Sequence, residues 1–257
     1  MRHDRRSEIL SKIRKLRTVK VSDLMEEHGV SIETIRKDLE CLEEKGQITR
    51  VYGGAILRGF YGDEPEYESR EILNYPQKQA IGKKAAEFIN DGDAVFIDLG
   101  TTPMELAKQL RFKKRLTVIT NAALTALELL RNGSDCKVIL LGGELRKEEF
   151  AGSGVITEKA LQNFYATKTV ISVGGISREN GVSDYNLQEA AARRMMIARS
   201  SEVIALADYT KFGVIAMNHI CPVEKLSVLV TDWTIPPKVL EEYRAGGINI
   251  VAAPESG

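Results

Sequence analysis

The stretch SIETIRKDLECLEEKGQITRVYGGA, residues 31–55, decides how the rest of the chain is read. Ile32, Ile35, Leu39 and Leu42 recur at helical spacing on one side, so Glu33, Thr34, Arg36 and Lys37 project from the other side near the helix start. Ser31 is placed to cap this helix and Gly46 to end it. Ile48 to Tyr52, the Gly53-Gly54 pair and Ala55 to Leu57 then read as a small two-stranded wing that carries Arg50. A short helix presenting Thr, Arg and Lys at its N-terminal end, followed by a basic hairpin, suits a winged helix-turn-helix laid across a major groove of double-stranded DNA.

Upstream, Ile9, Ile13 and Leu16 give a first helix one apolar stripe, and Val21, Leu24, Met25 and His28 give a second helix another, with Gly29 as the turn. His28 has no metal-binding companions and reads as a helix-end packing residue. The formal charge of the chain is zero, but residues 2–20 hold eight Lys or Arg against Asp4 and Glu8. On its own such a run is a solvated helix face. Beside the 31–55 pattern it reads as a source of sequence-independent phosphate attraction, with a more acidic remainder limiting indiscriminate binding.

At 257 residues the chain has room for a small head and one larger domain with a full core. No apolar run approaches transmembrane length, and MRHDRRSEIL lacks the apolar segment of a signal peptide, so a cytoplasmic protein without membrane contact is expected. Cys41, Cys136 and Cys221 are widely spaced and odd in number, which fits neither a disulfide framework nor a zinc site, and no metal or cofactor is expected.

Residues 58–76, RGFYGDEPEYESREILNYP, break both periodicities and collect Gly, Pro and acids, so a linker is expected between a head of residues 1–57 and a second domain of residues 77–257. Tyr61, Tyr67 and Tyr75 are expected to pack against one domain or the other. In the second domain short apolar runs alternate with amphipathic helices: 94–98, 116–120, 137–141, 169–173, 202–207, 226–231 and 248–252. They are nearly continuous and rich in β-branched residues, as parallel strands covered on both faces are, so an open α/β sheet is expected.

Ligands of such sheets bind beyond the carboxyl ends of the strands. After the first run stands Asp98-Leu99-Gly100-Thr101-Thr102-Pro103-Met104-Glu105, in which Thr102 can cap the next helix and Glu105 complete a capping box. A glycine and two hydroxyls at a helix N-terminus are either a phosphate cradle or a well-capped turn. Other run ends supply Asn121, Gly142-Gly143, Gly174-Gly175, Asp208 and Lys211. The segment 177–197 adds Asp184, Glu189, Arg193 and Arg194. Glu189 and Arg193, four residues apart on a helix, are either an exposed ion pair of little weight or ligand contacts.

These motifs resemble the DeoR family of bacterial transcriptional regulators over nearly the whole chain. RRSEIL, VSDLMEEHGVSIETIRKDLECLEEKG and ITRVYGGA carry the likeness in the head, and IGKKAAEFINDGDAVFIDLGTT, VITN, LLGGELR, VGGIS, EAAARRMMI, LADYTKFG and LSVLVTD in the second domain. The resemblance implies an N-terminal winged helix-turn-helix and an α/β sensor domain similar to ribose-5-phosphate isomerase that binds phosphorylated sugars or related metabolites. It assigns DNA contact to Ser31, Thr34, Arg36, Lys37 and Arg50. Effector contact falls to Asp98, Gly100, Thr101, Thr102, Asn121, Gly175, Asp184, Asp208 and Lys211. Arg70, Asn74 and Lys78 recur in the family's linker pattern and would join head to sensor; from spacing alone they are surface residues. Lys37 and Tyr52 stand where Arg and His are frequent in the family, and Pro103 and Arg193 where a hydroxyl residue and Lys are. Lys37 keeps the charge without the planar fork that reads guanine, and Pro103 removes a donor from the cradle.

The expected function is therefore a transcriptional regulator, by family habit a repressor of sugar or polyol genes and a homo-oligomer with paired heads. The competing reading is a sugar-phosphate isomerase fused to a DNA-binding head, with Asp98, Asp184, Glu189, Asp208 and Lys211 as acid/base candidates. A nicotinamide-dependent dehydrogenase is excluded, because no G-x-G-x-x-G follows the first strand.

Overall fold

The computed structural model describes residues 2–16, 18–51, 54–57 and 67–255, and the chain divides into two units, Met1–Pro65 and Glu66–Gly257. In the first, Ile9 and Ile13 of α1 (Arg2–Leu16), Leu24 of α2 (Val21–His28) and Ile35, Leu39 and Leu42 of α3 (Ile32–Glu44) close one apolar core. Ser31 begins α3 as its spacing predicts, its hydroxyl accepting the Thr34 amide at 3.4 Å. The expected stripe is displaced at two positions. Ile32 is 40 % exposed, whereas Asp38 is fully buried. Arg5 and Arg6 of α1 reach Asp38 at 2.6 and 2.7 Å, and two guanidinium groups are what make a buried carboxylate tolerable there.

The wing has three strands, not two. β1 (Thr18–Lys20) pairs antiparallel with β3 (Gly54–Leu57), which pairs antiparallel with β2 (Ile48–Val51). Gly54 lies so close to the Val19 carbonyl that a Cβ would collide with it, so this glycine admits the neighbouring strand. Three residues of β1 are too few to reveal a period of two, which is why spacing misses the strand. Tyr52, Gly53 and Tyr61 lie outside the described residues.

Of the expected linker, 58–66 is likewise outside the described residues, and the remainder is helical: α4 (Tyr67–Ile72) and α5 (Tyr75–Ala86). α4 is too short for a periodic signature and is held by tertiary contacts, with Tyr67 buried and Arg70 paired with Glu149. Tyr75 stays on the surface and accepts a hydrogen bond from Gln79 at 3.0 Å.

In the second unit β4 (Ala94–Ile97), β5 (Leu116–Thr120) and β6 (Cys136–Leu140) are separated by α6 (Thr101–Gln109) and α7 (Ala123–Arg131). A hairpin, β7 (Glu144–Arg146) and β8 (Ala151–Ser153), and α8 (Gly154–Leu161) lead to β9 (Ala166–Ser172). Then come β10 (Gly175–Ser177), β11 (Gly181–Asp184), α9 (Leu187–Ala198), β12 (Ser200–Leu206), β13 (Asn218–Cys221), β14 (Val228–Asp232), α10 (Pro237–Ala245) and β15 (Ile250–Ala253). The seven runs expected as strands form one parallel sheet in the order β15-β14-β12-β9-β4-β5-β6.

Both faces of that sheet are buried. Val95 and Ile97 pack with Ile81 and Leu106 on one side, while Phe96 packs with Ile119 and Met196 on the other. The β7–β8 hairpin and the antiparallel trio β10-β11-β13 were not expected; their strands have only three or four residues each. Chain order runs outward from β4 in both directions, so the topological switch point lies between β4 and β9. No helix among the described residues is long and apolar enough to cross a membrane.

Candidate functional site

In the head, Arg36 and Lys37 are exposed on the first turns of α3, and neither forms an ion pair with another described residue. Ser31 and Thr34 lie beside them, their hydroxyls 3.0 Å apart. Arg50 is placed differently. Its guanidinium pairs with Glu43 at 2.7 Å and Glu40 at 3.7 Å, tying the wing back to α3. The basic run at the N-terminus is also partly engaged: Arg5 and Arg6 pair with Asp38, and Lys12 with Glu27. Fewer of its cations face solvent than a charge count suggests.

In the second unit the site is built on the switch point. The chain leaves β4 through Asp98 and Leu99 and turns at Gly100, whose φ of 121° is open to glycine and strained for any side chain. Gly100, not Thr102, is the N-cap of α6, so the expected capping box does not form. The helix begins two residues earlier because the glycine reverses the chain there, and Glu105 pairs instead with Lys108 at 2.6 Å. Thr101 and Thr102 thus occupy the first turn, where amides have no intrahelical acceptor, and Pro103 has no amide to offer.

Beneath this loop lies a buried ionic cluster. Arg193 of α9, 1 % exposed, donates to Asp98, to Asp184 and, at 3.2 Å, to the Ser172 hydroxyl. Glu189 lies 3.8 Å away and is equally buried, so the exposed-pair reading of Glu189 and Arg193 is wrong. Helical spacing locates the pair but says nothing of which face is covered. Burial alone would lower the Arg193 pKa, but Asp184, Asp98 and Glu189 outweigh it and hold the guanidinium above its ordinary value. Burial pushes the Asp98 carboxyl up, against the pull of Arg193. Ser172, which spacing did not single out, donates its amide to Asp98 at 3.2 Å across the β4–β9 boundary. Asp184 also accepts the Tyr185 and Asn186 amides at 2.6 and 3.2 Å, which makes it an anchor of the turn into α9.

The remaining candidates divide. Asn121 donates to the Gly152 carbonyl at 2.9 Å while its buried Oδ1 has no hydrogen-bond partner among the described residues. Leu99, Ala122 and Ala151 pack together and bring that asparagine's strand end beside the Gly100 loop. Gly175 is closely packed against backbone. A Cβ there would strike the Val214 carbonyl, so its missing side chain admits a neighbouring backbone segment. Asp208, at the end of β12, accepts the Thr210 amide at 3.0 Å and the Asn74 side chain at 3.3 Å, and Lys211 sits on the turn that follows.

Lys78, expected at the surface, is 5 % exposed and donates to the Arg70 carbonyl. Burial pushes its pKa down to about 8; Asp208 pulls it up, and Lys211 and Arg70 press it further down. Lys78, Asp208 and Lys211 therefore share one electrostatic neighbourhood.

Residues 5–58 match the DeoR-like helix-turn-helix domain, and residues 73–233 the DeoR C terminal sensor domain. The HTH-type transcriptional regulator GolR of Listeria innocua is 32 % identical over 250 residues, which cover 97 % of this chain and 98 % of that protein. The glycerol-3-phosphate regulon repressor of Escherichia coli K12 is 30 % identical over 237 residues, 92 % of this chain and 93 % of its own. Among solved structures, ribose 5 phosphate isomerase A from Neisseria gonorrhoeae aligns with a TM-score of 0.40 and 14 % identity, covering 54 % of this chain and 53 % of that one, too distant a likeness to say anything of ligand or activity. With a reading head in the first unit and a sensor domain in the second, the chain belongs to the DeoR family of transcriptional regulators.

Proposed function

We propose that this protein is a repressor of sugar or polyol metabolism genes, acting in the cytoplasm and released from its operator by a phosphorylated sugar or related metabolite. The observation that carries the reading is the pairing, in one chain, of exposed Arg36 and Lys37 on a capped helix with a switch-point loop whose Thr101 and Thr102 amides open a helix. Ser31, Thr34, Arg36 and Lys37 meet DNA first, with Arg50 joining once it leaves Glu43. Gly100, Thr101 and Thr102 hold the phosphate, with Lys211 as a counter-charge and Asn121 and Asp208 available to sugar hydroxyls. Asp98 and Asp184 act from beneath, by fixing the loop through Arg193.

Binding without turnover is supported by the state of the carboxylates: Asp98, Asp184 and Glu189 all face one guanidinium, which disfavours an acid/base role. Assembly into a homo-oligomer is supported by exposed Leu127 and Leu130 on α7 and Leu140 on the edge strand β6. The deciding experiment is equilibrium binding to DNA from upstream of its own gene, at fixed salt, with and without a panel of sugar and polyol phosphates. Release by one compound is the expected result; specific binding indifferent to all of them would remove the sensor half of the reading.

A further inference from the structure

We propose that Arg146 and Glu149 in the β7–β8 hairpin are positioning residues of the effector site, and that through them Arg70 of α4 sets the geometry of the Asp98–Thr102 loop. This rests on the reading of that loop as effector-binding. The contacts are consecutive and alternate in sign. Arg70 pairs with Glu149, Glu149 with Arg146 at 3.2 Å, Arg146 with Glu189 at 2.8 Å, and Glu189 with Arg193 at 3.8 Å. Arg193 in turn holds Asp98, two residues before Gly100.

The side chains of Glu149, Glu189 and Arg193 are each 1 % exposed, so salt screens these charges weakly and each depends on its neighbours for compensation. Displacing one member changes the charge that faces the next, so a shift at one end of the row bears on the other. Its outer end is on α4, the first described helix after the wing in sequence, and the Arg70 carbonyl also accepts Lys78. An anion that shifts the Gly100 loop is therefore linked, pair by pair, to the segment that leads from the head.

The test is hydrogen–deuterium exchange on the full chain without ligand, comparing wild type with Glu149→Gln, Arg70→Met and Arg70→Lys. Glu149→Gln and Arg70→Met are expected to raise amide exchange in residues 98–104 at least about fivefold, a typical coupling magnitude, and Arg70→Lys to leave it near wild type. Changes confined to residues 67–72 and 144–153 would overturn the proposal. If Glu149→Gln loosens the whole domain, Arg70→Met, at the less buried end, decides by the same criterion. Because no effector is used, failure here leaves the repressor reading standing, and failure of every sugar phosphate to release DNA would leave this coupling standing.

Discussion

Arg193 and Asp98, 95 positions apart in the sequence, form a fully buried ion pair at the point where the strand order of the sheet reverses. A guanidinium suits this place because its planar fork serves several acceptors at once. It reaches Asp98 from β4, Asp184 from β11 and Ser172 from β9 with separate nitrogens. The pair thereby joins three strand ends under the Gly100 loop.

Arg193→Met should therefore cost about 3–5 kcal/mol of stability, because it leaves several carboxylates buried without their cation. Denaturant unfolding of the full chain measures this. Arg193→Lys should recover only part of the loss, since an ammonium cannot span the same set of acceptors; full recovery would mean that charge alone matters.

For the head, Arg36→Ala should weaken binding to upstream DNA by about 1–3 kcal/mol and flatten the base preference, as expected for a residue that reads base edges. Arg50→Ala should cost less. Its side chain must first leave Glu43 and Glu40, so part of any phosphate contact is offset by the pairs it breaks. Titration of both variants against the same DNA at several salt concentrations separates them, and an equal loss would show that the wing pairs dissolve without cost.

Thr101→Ala should leave DNA affinity unchanged while weakening the response to the releasing phosphate. The residue sits in the first turn of α6, in the sensor unit, whereas α3 belongs to the head unit. Loss of DNA binding in a folded Thr101→Ala protein would contradict the division of labour between the two units.

Lys78 predicts an alkaline signature. Its pKa falls from an ordinary 10.5 to about 8 on folding, chiefly through burial. Between those values the unfolded chain binds the extra proton and the folded chain does not, so stability rises with pH across that window, by roughly 3 kcal/mol at most for one such group. Lys78→Met should remove that rise, measured as the difference between the two proteins' unfolding free energies at pH 8 and pH 10. A parallel pH dependence in both would place the titration elsewhere.

The sequence by itself determined what is local. Ser31 and the spacing from Ile35 to Leu42 specify the start and buried face of α3, and seven β-branched runs specify the parallel sheet, because capping and side-chain periodicity act over a few residues. Family motifs extended this to the identity of the regulator.

Only the tertiary structure decided which charges are buried and whom they meet. Asp38, Lys78, Glu149, Glu189 and Arg193 look like surface residues in the sequence, yet each is covered, and among the described residues all but Lys78 pair with groups of opposite charge. The same holds for Gly175 and Gly54, whose missing side chains serve neighbouring backbone, and for the short strands β1, β7 and β10. Burial and ion pairing across 32 to 95 positions are products of packing, and no local pattern encodes which distant group will lie opposite a given charge.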